Sequence, residues 1–178
     1  AIIKFYSSFK TKTSIDSFLT LMLLLPLLFI IPAALIGYLS YENIAVLLSG
    51  ENPIVKDYLW HILVLAIAMA YFEIFFSWAK VQMKTVFGNI MKEIFHRLCI
   101  MLLLIAVYLK WITVNDFILA LVGVYVLRML IMKLYAFSVW SPKLRYQNVE
   151  GFKGIFKYAL LMIIAGSVAM LILDIDKF

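Results

Sequence analysis

The chain has 178 residues, of which 66% are hydrophobic and 15% are charged, and its formal net charge is +6. Soluble domains are about 45–50% apolar and about 25% charged, so this composition excludes an ordinary soluble globular protein. A basic chain can bind nucleic acid, but in so apolar a sequence we expect the basic residues to lie in loops and to set membrane orientation. The composition therefore predicts an all-α membrane protein with no nucleic-acid partner.

Five apolar segments are each about as long as a bilayer crossing, which takes about 20 residues. In chain order they cover residues 18–39, 58–79, 94–113, 117–139 and 152–173. The first contains Pro26 and Pro32, which leave carbonyl groups without helical partners and indicate either a hinge or a tolerated kink. We predict a polytopic transmembrane bundle of five helices.

The third span is preceded by a segment in which apolar residues recur at helical spacing. These residues are Phe87, Ile90, Met91, Ile94, Phe95 and Leu98. An apolar stripe of this kind is typical of a helix with one polar face. We therefore predict an amphipathic helix at the inner membrane interface that continues into the third span.

The charged residues of the connections alternate along the chain. The leading segment, the second connection and the fourth connection contain 11 basic residues, whereas the first connection, the third connection and the tail contain only Lys56, Lys110 and Lys177. Cytoplasmic loops of membrane proteins carry the excess of lysine and arginine. The first residue is therefore predicted to be cytoplasmic and the last residue to lie on the opposite side.

Two ionisable residues lie inside predicted spans, where a charge is costly unless it faces protein or water. Glu73 shares a helical face with Ala66, Ala70 and Ser77, so we expect that face to pack against another helix. The last span has a similar small-residue face that includes Gly166.

Arg128 lies near the centre of the fourth span, on the same face as Tyr125 and Tyr135. One interpretation is an ion pair between Arg128 and Glu73 that fixes the packing of the second and fourth spans. The other is a cationic lining for an anionic substrate, because a guanidinium group suits phosphate geometry. Lys133 would either widen this lining or extend toward the headgroups.

The sequence contains no phosphate-binding loop, zinc-binding helix or nucleophile elbow. Its one cysteine, Cys99, allows neither an internal disulfide nor a thiolate metal cage. We therefore predict no catalytic residue, no cofactor and no metal site, and a protein that is not an enzyme. His96 and Arg97, at the start of the third span, either contact phosphate groups or anchor the helix at the interface.

The segments AKVQMKTVFGNIMKEIFHRL (79–98), LVGVYVLRMLIMKLYAF (121–137) and FKYALLMIIAGSVAMLILDIDKF (156–178) resemble bacterial polysaccharide-biosynthesis membrane proteins. These are lipid-linked oligosaccharide flippases of the multidrug, oligosaccharidyl-lipid and polysaccharide exporter superfamily. The resemblance implies about fourteen helices in two bundles that export undecaprenyl-diphosphate-linked sugars by alternating access. The chain begins without Met, and we expect it to be one transmembrane region, an internal fragment that corresponds to spans three to seven.

The resemblance also implies roles for particular residues. Arg128 and Arg97, with Lys133 and Tyr125 nearby, would bind the diphosphate of the substrate, while Asp174 would take part in ion coupling. Glu73 would either hold Arg128 in place or exchange protons. The implied location is the bacterial inner membrane with a periplasmic last residue, and the implied partners are lipid-linked oligosaccharide, membrane lipids and polysaccharide polymerase or chain-length proteins. Two alternatives stay open: a membrane sugar or lipid transferase whose catalytic loops lie outside this sequence, and a structural membrane subunit.

Overall fold

A computed structural model of the protein describes residues 1–49, 58–143, 149 and 151–174. The chain divides into two compact units, one formed by Ala1–Met22 with Lys143–Phe178 and the other by Leu23–Pro142. Every regular element in these described ranges is a helix, and none is a strand. The predicted all-α class is therefore confirmed.

The helices follow one another with short connections. They are α1 (Ile2–Phe5), followed by a 3-10 turn (Tyr6–Ser8), α2 (Lys12–Leu24), α3 (Leu27–Leu39), α4 (Tyr41–Ser49), α5 (Leu59–Val81), α6 (Val86–Asn89), a π-helical segment (Ile90–Phe95), α7 (His96–Tyr108), α8 (Val114–Val139) and α9 (Phe152–Asp174).

Four helical segments among the described residues are long and apolar enough to cross a membrane. They are Lys12–Leu39, Leu59–Val81, Val114–Val139 and Phe152–Ala169. They coincide with the first, second, fourth and fifth predicted spans, and their length and apolar character are those of membrane-crossing helices.

The third predicted span, residues 94–113, is not confirmed as a crossing. Its α-helical part, α7, has only 13 residues and ends at Tyr108. Lys110 ends the helix early because it adopts a left-handed backbone with φ of 60°. The N–H groups of Lys110 and Trp111 then donate to the carbonyls of Val107 and Ala106, each at 2.9 Å, which closes the helix end. The predicted amphipathic segment before it is helical, as α6 and the π-helical segment.

The first span begins six residues before the predicted boundary because its start is capped. The Thr11 side chain accepts from the Ser14 N–H at 3.2 Å, and the Ser14 side chain accepts from the Thr11 N–H at 3.3 Å. This reciprocal pairing satisfies N–H groups that the first helical turn leaves free. Further along, Leu25 and Pro26 form a turn that separates α2 from α3, whereas Pro32 lies inside α3.

A cap also moves the start of α8 to Val114, three residues before the predicted position. The Thr113 hydroxyl oxygen accepts from the Asp116 N–H at 3.2 Å, and the Asp116 carboxylate accepts from the Thr113 N–H at 3.0 Å. This is a complete capping box, with Asp116 in the position that favours an acidic residue.

The core of the unit Leu23–Pro142 is formed where α5 and α7 pack against α8. The Phe137 ring on α8 lies 5.8 Å from the Phe75 ring and 5.6 Å from the Trp78 ring, measured between centroids. Trp78 is fully buried, as are Met132 and Ala136 on the facing helix. Aromatic side chains therefore provide the close packing that holds α5 on α8.

The predicted packing face of α5 is covered only in part. Ala66 is exposed and the side chain of Glu73 is 52% exposed, whereas the buried face contains Ala68, Phe72, Phe75, Phe76, Trp78 and Ala79. The helix therefore packs mainly through large aromatic residues, together with Ala68 and Ala79. On α9 the predicted small-residue face is also uncovered, since Gly166 is exposed and no described atom lies within 4 Å of its Cβ position.

Candidate functional site

Arg128 is the most deeply buried basic side chain among the described residues, with 6% of its surface exposed. It lies within about 3 Å of the midpoint of α8, at 1.5 Å per residue. Its guanidinium carbon is 4.2 Å from the centre of the Phe72 ring and 4.8 Å from the centre of the Tyr125 ring. Contacts of a cation with aromatic rings contribute about 0.5–2 kcal/mol each, and they hold this guanidinium between α5 and α8.

The ring contacts leave the hydrogen-bonding capacity of Arg128 unused. Its Nε atom is buried and has no hydrogen-bond partner in the described part of the chain. No carboxylate of those residues lies within ion-pair distance of the guanidinium either. The site is therefore a buried cation with free N–H donors.

Glu73 pairs with Lys92 instead of with Arg128. The Lys92 Nζ atom donates to Glu73 Oε1 at 2.7 Å, and the same ammonium lies 5.8 Å from the centre of the Phe76 ring. The predicted Glu73–Arg128 pair is replaced because Phe72 points to α8, while Glu73, one residue later, is turned by about 100° around the helix axis. Glu73 thus faces the π-helical segment that contains Lys92.

His96 extends the polar cluster around Arg128 toward α7. Its ring lies 6.1 Å from the Tyr125 ring, and its Nδ1 atom is buried without a hydrogen-bond partner in the ranges that the structure describes. The Tyr125 ring therefore lies close to both the Arg128 guanidinium and the His96 ring. We call Arg128, Tyr125, His96 and Phe72 the arginine cluster.

The structure does not bring Arg97 or Lys133 into the arginine cluster. Arg97 is exposed, with Nη2 at 3.4 Å from Glu93 Oε2 one turn earlier. Lys133 is also exposed, and its Nζ atom lies 5.8 Å from the centre of the Phe137 ring. Five residues separate Lys133 from Arg128, which places the two on different faces of α8.

Two other predicted positions lie elsewhere. Tyr135 stacks on Phe87, with ring centroids 4.3 Å apart, rather than joining Tyr125 and Arg128. Asp174 is the last residue of α9, and its side chain is outside the described residues, so its role in ion coupling stays a prediction.

Sequence reasoning missed several residues that the structure makes prominent. Asp16 in α2 is a buried acid, 3% exposed. Asp16 lies outside the predicted span of residues 18–39 but inside α2, which begins at Lys12 after the cap formed by Thr11 and Ser14. The pairing of Lys92 with Glu73 could not be predicted, because nothing in the sequence places the π-helical segment beside Glu73. His96 was predicted to contact phosphate groups or to anchor the helix at the interface, whereas its contact with the Tyr125 ring was not predicted.

These observations define the class: an α-helical protein with four described segments able to cross a membrane and a buried, ring-bound arginine near the middle of one of them. Neither the family models nor the curated proteins nor the solved structures that were compared match this chain. Within the described ranges, no group of three or more His, Cys, Asp or Glu side chains has a geometry that could hold a metal ion.

Proposed function

We propose that this chain belongs to a transporter that flips undecaprenyl-diphosphate-linked oligosaccharide across the bacterial inner membrane by alternating access. The observation that carries the proposal is Arg128, a guanidinium buried at the middle of an apolar helix with no carboxylate partner among the described residues. An intramembrane charge of this kind marks a substrate or ion pathway. The likeness of residues 79–98, 121–137 and 156–178 to polysaccharide exporters supports the choice of substrate.

The chemistry of the arginine cluster fits a phosphate-bearing substrate. Phe72 and Tyr125 contact the guanidinium through their rings, so its N–H groups stay available to an incoming acceptor. Phosphate oxygens accept from an arginine in a bidentate arrangement, and these charge-assisted hydrogen bonds are about twice as strong as neutral ones. A diphosphate would thus supply both the missing counter-charge and the missing hydrogen-bond acceptors.

The proposal assigns supporting roles to other charged residues. Glu73, half exposed and paired with Lys92, would couple transport to protons or other cations, together with Asp174. Arg97 and Lys133 would bind the diphosphate outside the arginine cluster, as it enters or leaves. The first residue would lie in the cytoplasm and the last in the periplasm. Polysaccharide polymerase and chain-length proteins would be partners.

The test is a flipping assay on the intact protein reconstituted in proteoliposomes with a fluorescent diphosphate-linked lipid. Arg128→Gln should reduce the flipping rate about 10-fold or more, since a hydrogen bond to a charged group contributes about 1.5–3 kcal/mol. Arg128→Lys should retain part of the rate because it keeps the charge. Lys84→Gln, which also removes one positive charge but at an exposed position to which the proposal assigns no role, is the matched control. A wild-type rate for well-folded Arg128→Gln would refute the proposal.

The same preparation separates the two alternatives. A transferase would convert the labelled lipid into a new covalent product, which chromatography of the extracted lipids detects. A structural subunit would neither flip nor modify the lipid, and Arg128→Gln and Glu73→Gln would lower only the yield of assembled protein.

A further inference from the structure

Two adjoining cavities occur in the unit Leu23–Pro142, at the end of the α3 span. The first is an apolar groove of about 260 Å³ between α3, α4 and α5. Its walls include Ala33, Ala34, Gly37, Ile44, Leu63 and Ala66. The second is a polar cavity lined by Tyr38, Leu39, Glu42 and Asn43. Tyr41 and Trp60 line both cavities, so the groove and the polar cavity lie next to each other.

We infer that these cavities bind one phospholipid with an amine headgroup, of the phosphatidylethanolamine type. One hydrocarbon chain would lie in the apolar groove, and the ammonium group would lie beside Glu42. The inference requires that the chain spans a membrane, and it does not depend on the proposed transport function.

The groove suits a hydrocarbon chain because of its position and its lining. It follows α3 from Ala33 to Gly37, about 6 Å along the axis at 1.5 Å per residue, and is bounded by Tyr41 at the start of α4. This is the end of the membrane-crossing segment Lys12–Leu39, where an apolar groove opens onto lipid chains rather than onto water. The space beside α3 is open, since no described atom lies within 4 Å of the Cβ position of Gly37.

The aromatic wall places the polar cavity at headgroup depth. The Trp60 ring lies 6.2 Å from the Tyr38 ring and 6.5 Å from the Tyr41 ring, and the latter pair is nearly parallel at 14°. Tryptophan and tyrosine collect at membrane interfaces because their rings are apolar at one end and polar at the other. A lipid chain in the groove would therefore bring its headgroup to Glu42 and Asn43.

The charge of Glu42 selects among headgroups. Its side chain is exposed in the first turn of α4, and it has no ion pair with any residue that the structure describes. A carboxylate attracts the ammonium of an amine headgroup and repels an anionic headgroup such as phosphatidylglycerol. One charge near a membrane surface changes the binding free energy by about 1 kcal/mol. We therefore expect the intact protein to bind the amine lipid about fivefold more tightly than the anionic lipid.

The experiment places the intact protein in bilayers that contain equal amounts of phosphatidylethanolamine and phosphatidylglycerol, both with the same acyl chains. Native mass spectrometry of the released protein then measures which lipid it retains. The wild-type protein should retain the amine lipid about fivefold over the anionic one. Glu42→Gln should remove the preference, and Glu42→Lys should reverse it. Equal retention of both lipids by the wild type, or an unchanged preference in Glu42→Lys, would overturn the inference.

A second pair of variants tests the groove itself. Gly37→Leu should fill it and remove retention of either lipid, whereas Gly123→Leu, an identical change at an equally open position on α8, should leave retention unchanged. If Gly37→Leu fails to fold, Ala33→Leu fills the same groove from the preceding turn. Retention by a folded groove-filling variant that equals that of Gly123→Leu would overturn the inference.

Discussion

Gly88 is the one glycine among the described residues whose Cβ atom would meet another side chain. Gly88 is buried in α6, and a Cβ atom built there would overlap the Phe76 ring of α5. That ring has little freedom to move, because it is 6% exposed and packs 6.1 Å from the Phe72 ring. The ammonium groups of Lys80 and Lys92 also lie 5.8 Å from its centre. Gly88→Ala should therefore displace a ring that several neighbours hold.

The size of the effect follows from two opposing contributions. Overpacking a well-packed interior costs about 1–3 kcal/mol. Replacing a helical glycine by alanine recovers about 1 kcal/mol through helix propensity. We expect Gly88→Ala to lower the free energy of unfolding by up to about 2 kcal/mol, or the melting temperature by up to about 8 °C.

The assay is thermal unfolding of the purified intact protein in a single detergent. Gly123→Ala is the matched control, because its Cβ position is open and the substitution should raise the melting temperature by about 2–4 °C. In a Phe76→Ala background, Gly88→Ala should also become stabilising, since the ring it meets is gone. If Gly88→Ala stabilises the wild-type protein as much as Gly123→Ala does, the close approach of α6 to α5 is refuted.

Three further substitutions test helix ends and the ion pair by the same unfolding assay. Lys110→Gly should stabilise the protein by about 1 kcal/mol, because glycine adopts the left-handed backbone of this position without steric cost; a loss of stability would contradict the observed φ. Thr113→Ala should cost about 1 kcal/mol by removing the cap of α8, while Thr113→Ser should restore it. Glu73→Gln should lower the melting temperature slightly, because a half-exposed ion pair contributes at most about 1 kcal/mol, and Glu73→Gln with Lys92→Met should recover most of the loss; equal losses in both would show that the pair is not formed.

The sequence was sufficient to predict where most long helices lie. Uninterrupted apolar length is a local property, so the spans near residues 58–79 and 152–173 agree with α5 and α9 to within two residues. Helix starts at Lys12 and Val114 were displaced because side-chain caps extend a helix past its apolar run. The end of α7 at Tyr108 could not be predicted, because the left-handed residue that closes a helix is usually glycine or asparagine and here it is Lys110.

The candidate site was predictable only in part. Arg128 was identified correctly as a buried cation at mid-span, because a charge in an apolar run is conspicuous in any sequence. Its neighbours were not predictable, because the depth of a residue along a helix can be counted from sequence but the rotation of that helix cannot. Phe72, rather than Glu73, therefore meets Arg128, and Lys92 reaches Glu73 from a segment that was expected only to lie at the interface.

The π-helical segment Ile90–Phe95 changes the rotation of the side chains around the axis of the helix from residue 86 to residue 108. A π turn holds one residue more than an α turn, so every later side chain is rotated by about 100° relative to an uninterrupted α-helix. The face of α7 that meets α8 is thus set by the number of residues in this segment, and not only by their chemistry. Deleting one residue there would restore the α-helix, carry the His96 ring away from Tyr125 and turn a different face of α7 toward Arg128.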